Sequence, residues 1–185
     1  MAAIRLFVAI LPPAFVRTEL AALACPFAGV RWTPEENIHL TLRFIGETET
    51  EKLECFAESL TRVKVEPFLL PVGGVGLFPS RGSAKVLWAG VGHAHPRLFQ
   101  LRKQVDEALL TVDSGVEMRS FHPHFTLGRL GETYETKELG KFLARNEAFE
   151  APPFFVNEFH LMETERHLGS TPSYRPVQTY PLSPR

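Results

Sequence analysis

A short pattern occurs twice in the chain and constrains its fold more than any other feature. The first copy, HLTLRFIGET, runs from His39 to Thr48, and the second, HFTLGRLGET, runs from His124 to Thr133. Six of the ten positions are identical, and a seventh pairs Ile with Leu. Two copies are too few for a solenoid, which needs about three repeats. The repeat instead predicts a duplicated half-domain, with two similar lobes facing each other across a groove.

Each copy of the pattern also has the alternation of a β-strand. Side chains alternate across a strand, so His39, Thr41 and Arg43 are predicted to share one face, and the apolar residues between them the other. By the same rule, His124 and Thr126 share a face in the second copy. The apolar face is expected to pack on a core. The histidines and threonines are therefore expected to face outward, into one shared site.

The remainder of the chain alternates between helical and extended patterns. The Gly-Glu-Thr that closes each copy predicts the end of a strand, and Thr48 with Glu51 has the pattern of a capping box that opens a helix. This order, βαβαββ followed by αβαββ, is typical of an α+β fold. We predict one bilobal domain over residues 1–185, in which two pseudo-symmetric lobes of antiparallel sheet carry helices on the outside and enclose a central cleft. Strands are predicted at 5–10, in both copies of the pattern, and at 67–75, 85–91, 154–162 and 177–182; helices are predicted at 12–23, 53–63, 98–112 and 137–145.

Composition limits the classes of partner that the protein is expected to bind and the compartment in which it is expected. The formal net charge is −1 and the pI about 6.7, which argues against a broad surface for polyanions. Cys25 and Cys55 lie among apolar residues without metal-type spacing, so both are expected to be buried free thiols in a reducing cytoplasm. The apolar run from Leu6 to Leu11 is too short for a secretory signal or a membrane-spanning helix, which predicts a buried first strand and no membrane association.

The chemistry of the repeated residues points to phosphate esters. Histidine has an unperturbed pKa of about 6.5, so two of them across a groove can serve as general base and general acid. Each such proton transfer typically contributes about 10²–10⁴-fold to a rate. Threonine hydroxyls on the same face can donate to phosphate oxygens. A cyclic phosphodiester fits this arrangement, because it is anionic and tetrahedral and its leaving oxygen needs a proton.

These segments resemble a known family. HLTLRFIGE and HPHFTLGR are similar to the paired motifs of the 2H phosphoesterase superfamily, and the closest branch is that of the bacterial RNA 2′,3′-cyclic phosphodiesterases, long called 2′-5′ RNA ligases. RLFVAILPP, GLFPSRGSAKVLWAGV and EFHLMET also resemble that branch, so the similarity covers essentially the whole chain. It implies a bilobal α+β fold, no metal or other cofactor, and hydrolysis of 2′,3′-cyclic phosphates to 2′-phosphates.

The resemblance also implies roles for individual residues. His39 would protonate the departing ribose 3′ oxygen, and His124 would activate water or steady the phosphoryl group. Thr41 and Thr126 would hold the nonbridging oxygens. The implied partners are RNA ends or nucleotides that bear a 2′,3′-cyclic phosphate, with no obligatory protein partner. The same chemistry with a ribose hydroxyl in place of water would join RNA ends through a 2′-5′ bond.

Two arginines are further candidates for phosphate binding. Arg129 corresponds to a phosphate-contacting arginine of that branch, although strict alternation places it on the face opposite His124. A strand end or a bulge at Gly128 would turn it back. Arg43 has the parity of His39 but lies further along its strand, so it is a secondary candidate.

Two other classes of function are compatible with parts of the sequence. His93-x-His95 and His122-x-His124 have a spacing that can ligate zinc, although no His-Glu-x-x-His is present, so a metal-dependent phosphoesterase is one alternative. A non-catalytic RNA-binding module is the other, although the aromatic-rich signature of RNA-recognition folds is absent. Candidates for stacking on a nucleobase are Phe44, Phe78, Phe121, Phe125 and Trp32, of which Trp32 is the best placed outside a predicted core.

Overall fold

The computed structural model describes residues 3–93, 96–113, 120–165 and 171–183. Within these ranges the chain forms four α-helices and ten β-strands, and the predicted α+β fold is confirmed. The helices are α1 (Ala14–Ala21), α2 (Leu53–Leu60), α3 (Pro96–Leu110) and α4 (Thr136–Arg145). The strands are β1 (Ala3–Ile10), β2 (Val30–Trp32), β3 (Leu40–Glu49), β4 (Phe68–Gly73), β5 (Val75–Phe78), β6 (Val86–Gly90), β7 (His124–Leu130), β8 (Glu150–Val156), β9 (Glu158–Glu165) and β10 (Ser173–Pro181).

The two lobes share one sheet. Its strand order is β10-β9-β1-β3-β7-β6-β5, and β2 pairs with β7 beside β3. Every strand pairing in it is antiparallel. The first four strands belong to the lobe of β3 and the others to the lobe of β7. The two repeat strands are therefore neighbours at the centre, where they pair through Leu40 and Phe125.

The helices cover one face of this sheet. Helix α3 packs against α2 and β3, while α1 packs against β8, which pairs with β4 in a separate two-stranded sheet. The main core cluster lies on this side and includes residues of both lobes, among them Leu40, Leu42, Phe125 and Leu127. The other face of the β1–β9 region carries a small separate cluster of Phe7, Ala9 and Met162, with Leu11 and Tyr174 packed against it. This second face is the one that forms the groove between the lobes.

Each repeat strand contains a β-bulge at the equivalent position. The register of β3 with β1 shifts between Thr41 and Arg43, and the register of β7 with β6 shifts between Thr126 and Gly128. The extra residue is Leu42 in β3 and its counterpart, Leu127, in β7. A bulge reverses the alternation of side chains beyond it. In each repeat strand, the alternation of side chains between the two faces is therefore interrupted at the third residue after the histidine.

Several predicted boundaries are wrong. Strand β3 continues through Gly46 to Glu49, because Gly46 takes a φ of +96° beside a second bulge instead of ending the strand. A 3₁₀ turn then leads into α2, whose start has no side-chain capping bond, so the capping box is also wrong. Val30–Trp32, for which the sequence predicts no strand, forms β2. The predicted strand 154–162 divides into β8 and β9.

Two expectations from composition concern membrane-spanning helices and the burial of the cysteines. No helix in the described parts of the chain is long and apolar enough to cross a membrane. Both cysteines are free, as predicted, but Cys55 is exposed and Cys25 half-buried. The expectation that both thiols are buried is therefore wrong.

Candidate active site

The strand junction brings the two histidines of the repeat together. His39 is the residue before β3, and His124 is the first residue of β7. Their chain neighbours Leu40 and Phe125 form the antiparallel pair that joins the strands, and both are fully buried on the helix side. Because adjacent side chains of a strand point to opposite faces, the two imidazoles lie on the groove side.

The threonines of the repeat complete a crossed arrangement. Continuing the register of the Leu40–Phe125 pair by one residue in each direction sets His39 opposite Thr126 and Thr41 opposite His124. Residues opposite each other in an antiparallel pair share a face. All four side chains are half-buried. On this register, each histidine lies opposite the threonine of the other lobe.

Both imidazoles are held through the same kind of hydrogen bond. Nδ1 of His39 donates to the carbonyl of Asn37 at 2.7 Å, and Nδ1 of His124 donates to the carbonyl of His122 at 2.6 Å. A carbonyl can only accept, so in each ring the proton of the neutral form lies on Nδ1. Asn37 is itself buried and its side-chain amide donates to the carbonyl of Pro172 at 2.8 Å. Nε2 of each ring is consequently the atom free for chemistry.

The environment keeps both histidines neutral at pH 7. The pKa of His39 is lowered to about 4, mainly by burial and to a smaller extent by the charges of His124 and Arg129, against the opposing effect of the hydrogen bond to Asn37. Burial also lowers the pKa of His124, with smaller contributions in the same direction from the charges of His122 and Arg129. An anionic ligand between them would favour the protonated form of either ring.

Aromatic side chains pack against each histidine. The ring of His39 lies 5.0 Å from that of Phe7 and 4.9 Å from that of Tyr174, between centroids. The ring of His124 meets Phe78 edge-on at 5.0 Å. Phe7 and Tyr174 come from β1 and β10, far from the repeat, and sequence reasoning did not identify them. No local pattern marks them, because only the order of strands in the sheet brings them to His39.

Arg129 lies on the groove side of β7. The bulge at Leu127 reverses the alternation, as the sequence analysis required for this residue to face the site. The charge of Arg129 contributes to the lowered pKa of both His39 and His124. The residue is exposed and makes no ion pair within the described part of the chain.

Arg43 lies on the helix side, so the prediction that it shares the face of His39 is wrong. Its side chain is 2% exposed, and Nη1 lies 3.5 Å from Oδ1 of Asp106 in α3. Oδ2 of the same carboxylate accepts from Nε of Arg102 at 2.8 Å, and Arg102 also donates to the carbonyl of Leu42. The bulge at Leu42 turns Arg43 away from the groove. Arg43 therefore belongs to a buried charged cluster behind the site and is not a phosphate ligand.

The described residues of the metal-site alternative form no metal centre. His93 is exposed, and His95 lies outside the described residues. The described residues contain no group of three or more His, Cys, Asp or Glu side chains that could hold a metal ion. The contact that His122 makes with His124 is through its backbone carbonyl.

The proposed stacking residues separate into two groups. Phe44, 54% exposed, and Phe78 face the groove, where Phe44 lies 6.2 Å from Phe7. Phe125 is buried in the core. Trp32, the favoured candidate, is wrong, because it packs against α4 and its indole N–H donates to the carbonyl of Cys25 at 3.0 Å. The ring of Phe121 packs on Phe99 and beneath the guanidinium of Arg102.

The chain is similar to known phosphoesterases in sequence and in fold. The family model described as LigT like Phosphoesterase matches residues 10–88 and 91–170. An RNA 2′,3′-cyclic phosphodiesterase of Aeropyrum pernix is 33% identical over 128 residues, which are 69% of this chain and 71% of that protein. One of Geobacillus stearothermophilus is 31% identical over 167 residues, 88% of this chain but 50% of that protein. The crystal structure of E. coli LigT complexed with 3′-AMP superposes with a TM-score of 0.77 at 26% identity, over 98% of this chain and 99% of that one.

Proposed function

The chain belongs to the LigT-like phosphoesterase family, and we propose that it hydrolyses the 2′,3′-cyclic phosphate at an RNA end to a 2′-phosphate. The similarity to RNA 2′,3′-cyclic phosphodiesterases suggests the substrate. The observation that carries the proposal is the crossed arrangement at the Leu40–Phe125 junction. In this register both histidines and both threonines lie on the groove side, and the hydrogen bonds of the two Nδ1 atoms leave Nε2 of each ring available.

The two histidines divide the proton transfers between them. Nε2 of His124, neutral in the free protein, accepts a proton from water as the water oxygen forms a bond to phosphorus. The bond between phosphorus and the ribose 3′ oxygen breaks, and His39, protonated on Nε2, gives its proton to that oxygen. The products are a 2′-phosphate and a free 3′ hydroxyl. A second turnover then requires one proton to pass from His124 back to His39 through solvent.

The negative charge of the bound cyclic phosphate favours protonation of one of the two histidines. Both rings are neutral in the free protein because burial lowers each pKa. A bound phosphate anion between them offsets this effect by attracting a proton to one ring. The buried site thus gains its acid only when substrate is present.

Three further residues stabilise the charge on the phosphate. The hydroxyls of Thr41 and Thr126 donate to the two nonbridging oxygens, one from each lobe. Arg129 approaches from the open side of the groove and offers charged N–H donors. Donors fixed in place before the reaction stabilise the charge that develops in the transition state without having to reorganise.

The same residues would also serve ligation. If the 5′ hydroxyl of a second RNA replaces water, His124 removes its proton and His39 still protonates the 3′ oxygen. The product is then a 2′-5′ phosphodiester. Hydrolysis and ligation differ only in the nucleophile that enters the groove.

Product analysis tests the proposal. An oligonucleotide that ends in a 2′,3′-cyclic phosphate is incubated with the protein in excess EDTA, with and without an RNA that carries a 5′ hydroxyl. We expect a 2′-phosphate terminus, together with a small yield of 2′-5′ linked product when the second RNA is present. A 3′-phosphate product would contradict the assignment of the leaving oxygen. Activity that is lost in EDTA and restored by zinc or manganese would favour the metal-dependent alternative.

A further inference from the structure

Two arginines lie directly opposite each other beside the groove. Arg31 in β2 pairs with Arg129 in β7, and both are exposed. Like charges directly opposite each other on neighbouring strands are destabilising. No carboxylate within the described residues forms an ion pair with either side chain. The pair therefore carries an electrostatic cost that an anion would remove.

The pairing places Arg31 on the groove side of the sheet. Opposed residues of an antiparallel pair share a face, so Arg31 has the orientation of Arg129. Their neighbours Trp32 and Gly128 are directed to the helix side, where Trp32 packs against α4. From β6, the residue opposite Arg129 is Val86, which has no charge. The two guanidinium groups thus face the groove with no acidic residue opposed to them in the neighbouring strands.

The position relative to the histidines suggests what this anion is. Arg129 lies five residues after His124, which at about 3.3 Å per residue separates their Cα atoms by roughly 13–16 Å along the bulged strand. A long side chain can span part of this distance, in agreement with the effect of Arg129 on both rings. Arg31, on the neighbouring strand, adds a second guanidinium at the outer end. The arginine pair is thus too far out for both members to share the cyclic phosphate.

We propose that Arg31, beside Arg129 but beyond reach of the cyclic phosphate, forms a second anion site, which binds the 5′ phosphate of the nucleotide whose 2′,3′-cyclic phosphate lies between the histidines. This rests on the proposed function and names the feature by which the site selects its substrate. The terminal nucleotide of an RNA strand always carries that 5′ phosphate, whereas a cyclic nucleoside monophosphate with a 5′ hydroxyl does not. Guanidinium groups suit this task because their planar N–H donors match phosphate oxygens in pairs.

The test compares cytidine 2′,3′-cyclic phosphate with and without a 5′ phosphate. We expect the wild-type protein to have a higher kcat/KM for the 5′-phosphorylated form. Arg31→Gln should lower that preference about tenfold, the usual effect of losing one hydrogen bond to a charged group. Arg62→Gln is the matched control, because Arg62 is also exposed but follows α2 on the helix side. That variant should retain the wild-type preference.

Binding experiments separate this proposal from the proposed reaction. A fluorescent single-stranded RNA that ends in a 2′-phosphate is titrated by anisotropy at several salt concentrations. In Arg31→Gln, we expect weaker binding and a plot of log affinity against log salt that is less steep by about 0.7, as for one lost contact to a single strand. An Arg31→Gln variant with wild-type binding and wild-type preference would overturn the proposal. If the wild-type protein binds through Arg31 but turns over no cyclic phosphate, only the proposed reaction fails.

Discussion

Leu40 lies directly opposite Phe125, and this pair joins the sheet of one lobe to that of the other. Both side chains are fully buried, and each is the chain neighbour of a histidine in the groove. The separation of the two imidazoles is therefore set by paired backbone and core packing, and not by loops. Groups held in this way can keep a productive geometry without an ordering cost at each turnover.

Replacing either histidine should remove most of the activity. His39→Gln and His124→Gln are each expected to lower kcat/KM on a cyclic nucleotide by about 10²–10⁴-fold, because each ring moves one proton. The double variant should lose much less than the product of the two effects, since the rings act as a unit. Circular dichroism checks the fold, and exposed His93→Gln serves as the control with unchanged rate. A single variant with near wild-type turnover would contradict the two-histidine mechanism.

The pH profile should have its optimum on the acidic side. The reaction needs one neutral and one protonated imidazole, and kcat/KM reports the ionisations of the free protein. Burial lowers the pKa of both rings, to about 4 for His39. The maximum of kcat/KM is therefore expected below pH 6.5, as the property of a coupled pair. The cyclic phosphate keeps its single charge over this range and does not affect the profile. An optimum above pH 7 would therefore contradict the lowered pKa values of the two histidines.

Stability should fall as the pH falls from about 6.5 to about 4. In this interval the unfolded chain binds a proton at His39, whereas the folded chain does not, because burial lowers the pKa of His39 to about 4. The free energy of unfolding consequently decreases, by on the order of 1–2 kcal/mol from this group at pH 5. Urea denaturation at pH 7 and pH 5 measures the loss. His39→Gln should show a smaller difference between the two pH values than the wild-type protein.

Asp106 should be the costliest carboxylate to neutralise among those described. It faces two buried arginines, Arg43 at 3.5 Å and Arg102 at 2.8 Å. Asp106→Asn removes the negative charge that faces both arginines and is expected to lower the free energy of unfolding by about 3 kcal/mol. Glu107→Gln, on the same helix, breaks an exposed pair with Lys103 at 3.7 Å and should cost less than about 0.5 kcal/mol. Equal effects in urea denaturation would contradict the role of the cluster.

Two glycines should respond to alanine in opposite ways. A Cβ at Gly76 would collide with the indole ring of Trp88, whose centroid lies 5.1 Å from Phe78 and 6.5 Å from His124. Gly76→Ala is expected to destabilise by about 1–3 kcal/mol and to lower activity, because the rings beside His124 must shift. Gly140, inside α4, has open space around it. Gly140→Ala should therefore stabilise by about 0.5–1 kcal/mol in thermal or urea denaturation without a change in activity.

Much of the architecture could be predicted because local patterns in the sequence indicate it. The repeat predicted two related strands, and their alternation predicted which face carries His39 and His124. Apolar residues at helical spacing predicted α2 and α3. The three-residue strand β2 was missed, since Val30–Trp32 is too short to show a period and exists through its pairing with β7.

The orientation of the arginines could not be predicted with the same means. A bulge adds one residue to a strand, and here that residue is Leu42 or Leu127, which suits a buried position with or without the bulge. Alternation alone therefore assigns Arg43 to the groove side and Arg129 to the helix side, which is the reverse of their positions in the structure. The aromatic surroundings of His39 were also missed, because Phe7 and Tyr174 reach it across the sheet from opposite ends of the chain.

The fifth residue after each histidine has a consequence for the direction of the reaction. It is Phe44 in one lobe and Arg129 in the other, and both face the groove beyond equivalent bulges. A groove with true two-fold symmetry would accept a nucleotide equally well in two opposite directions, and each imidazole would then serve as acid in half of the turnovers. An aromatic ring at one end and a cation at the other make the two directions unequal in energy. Under the proposed mechanism, this difference between the halves would assign the role of acid to one histidine and that of base to the other in every turnover.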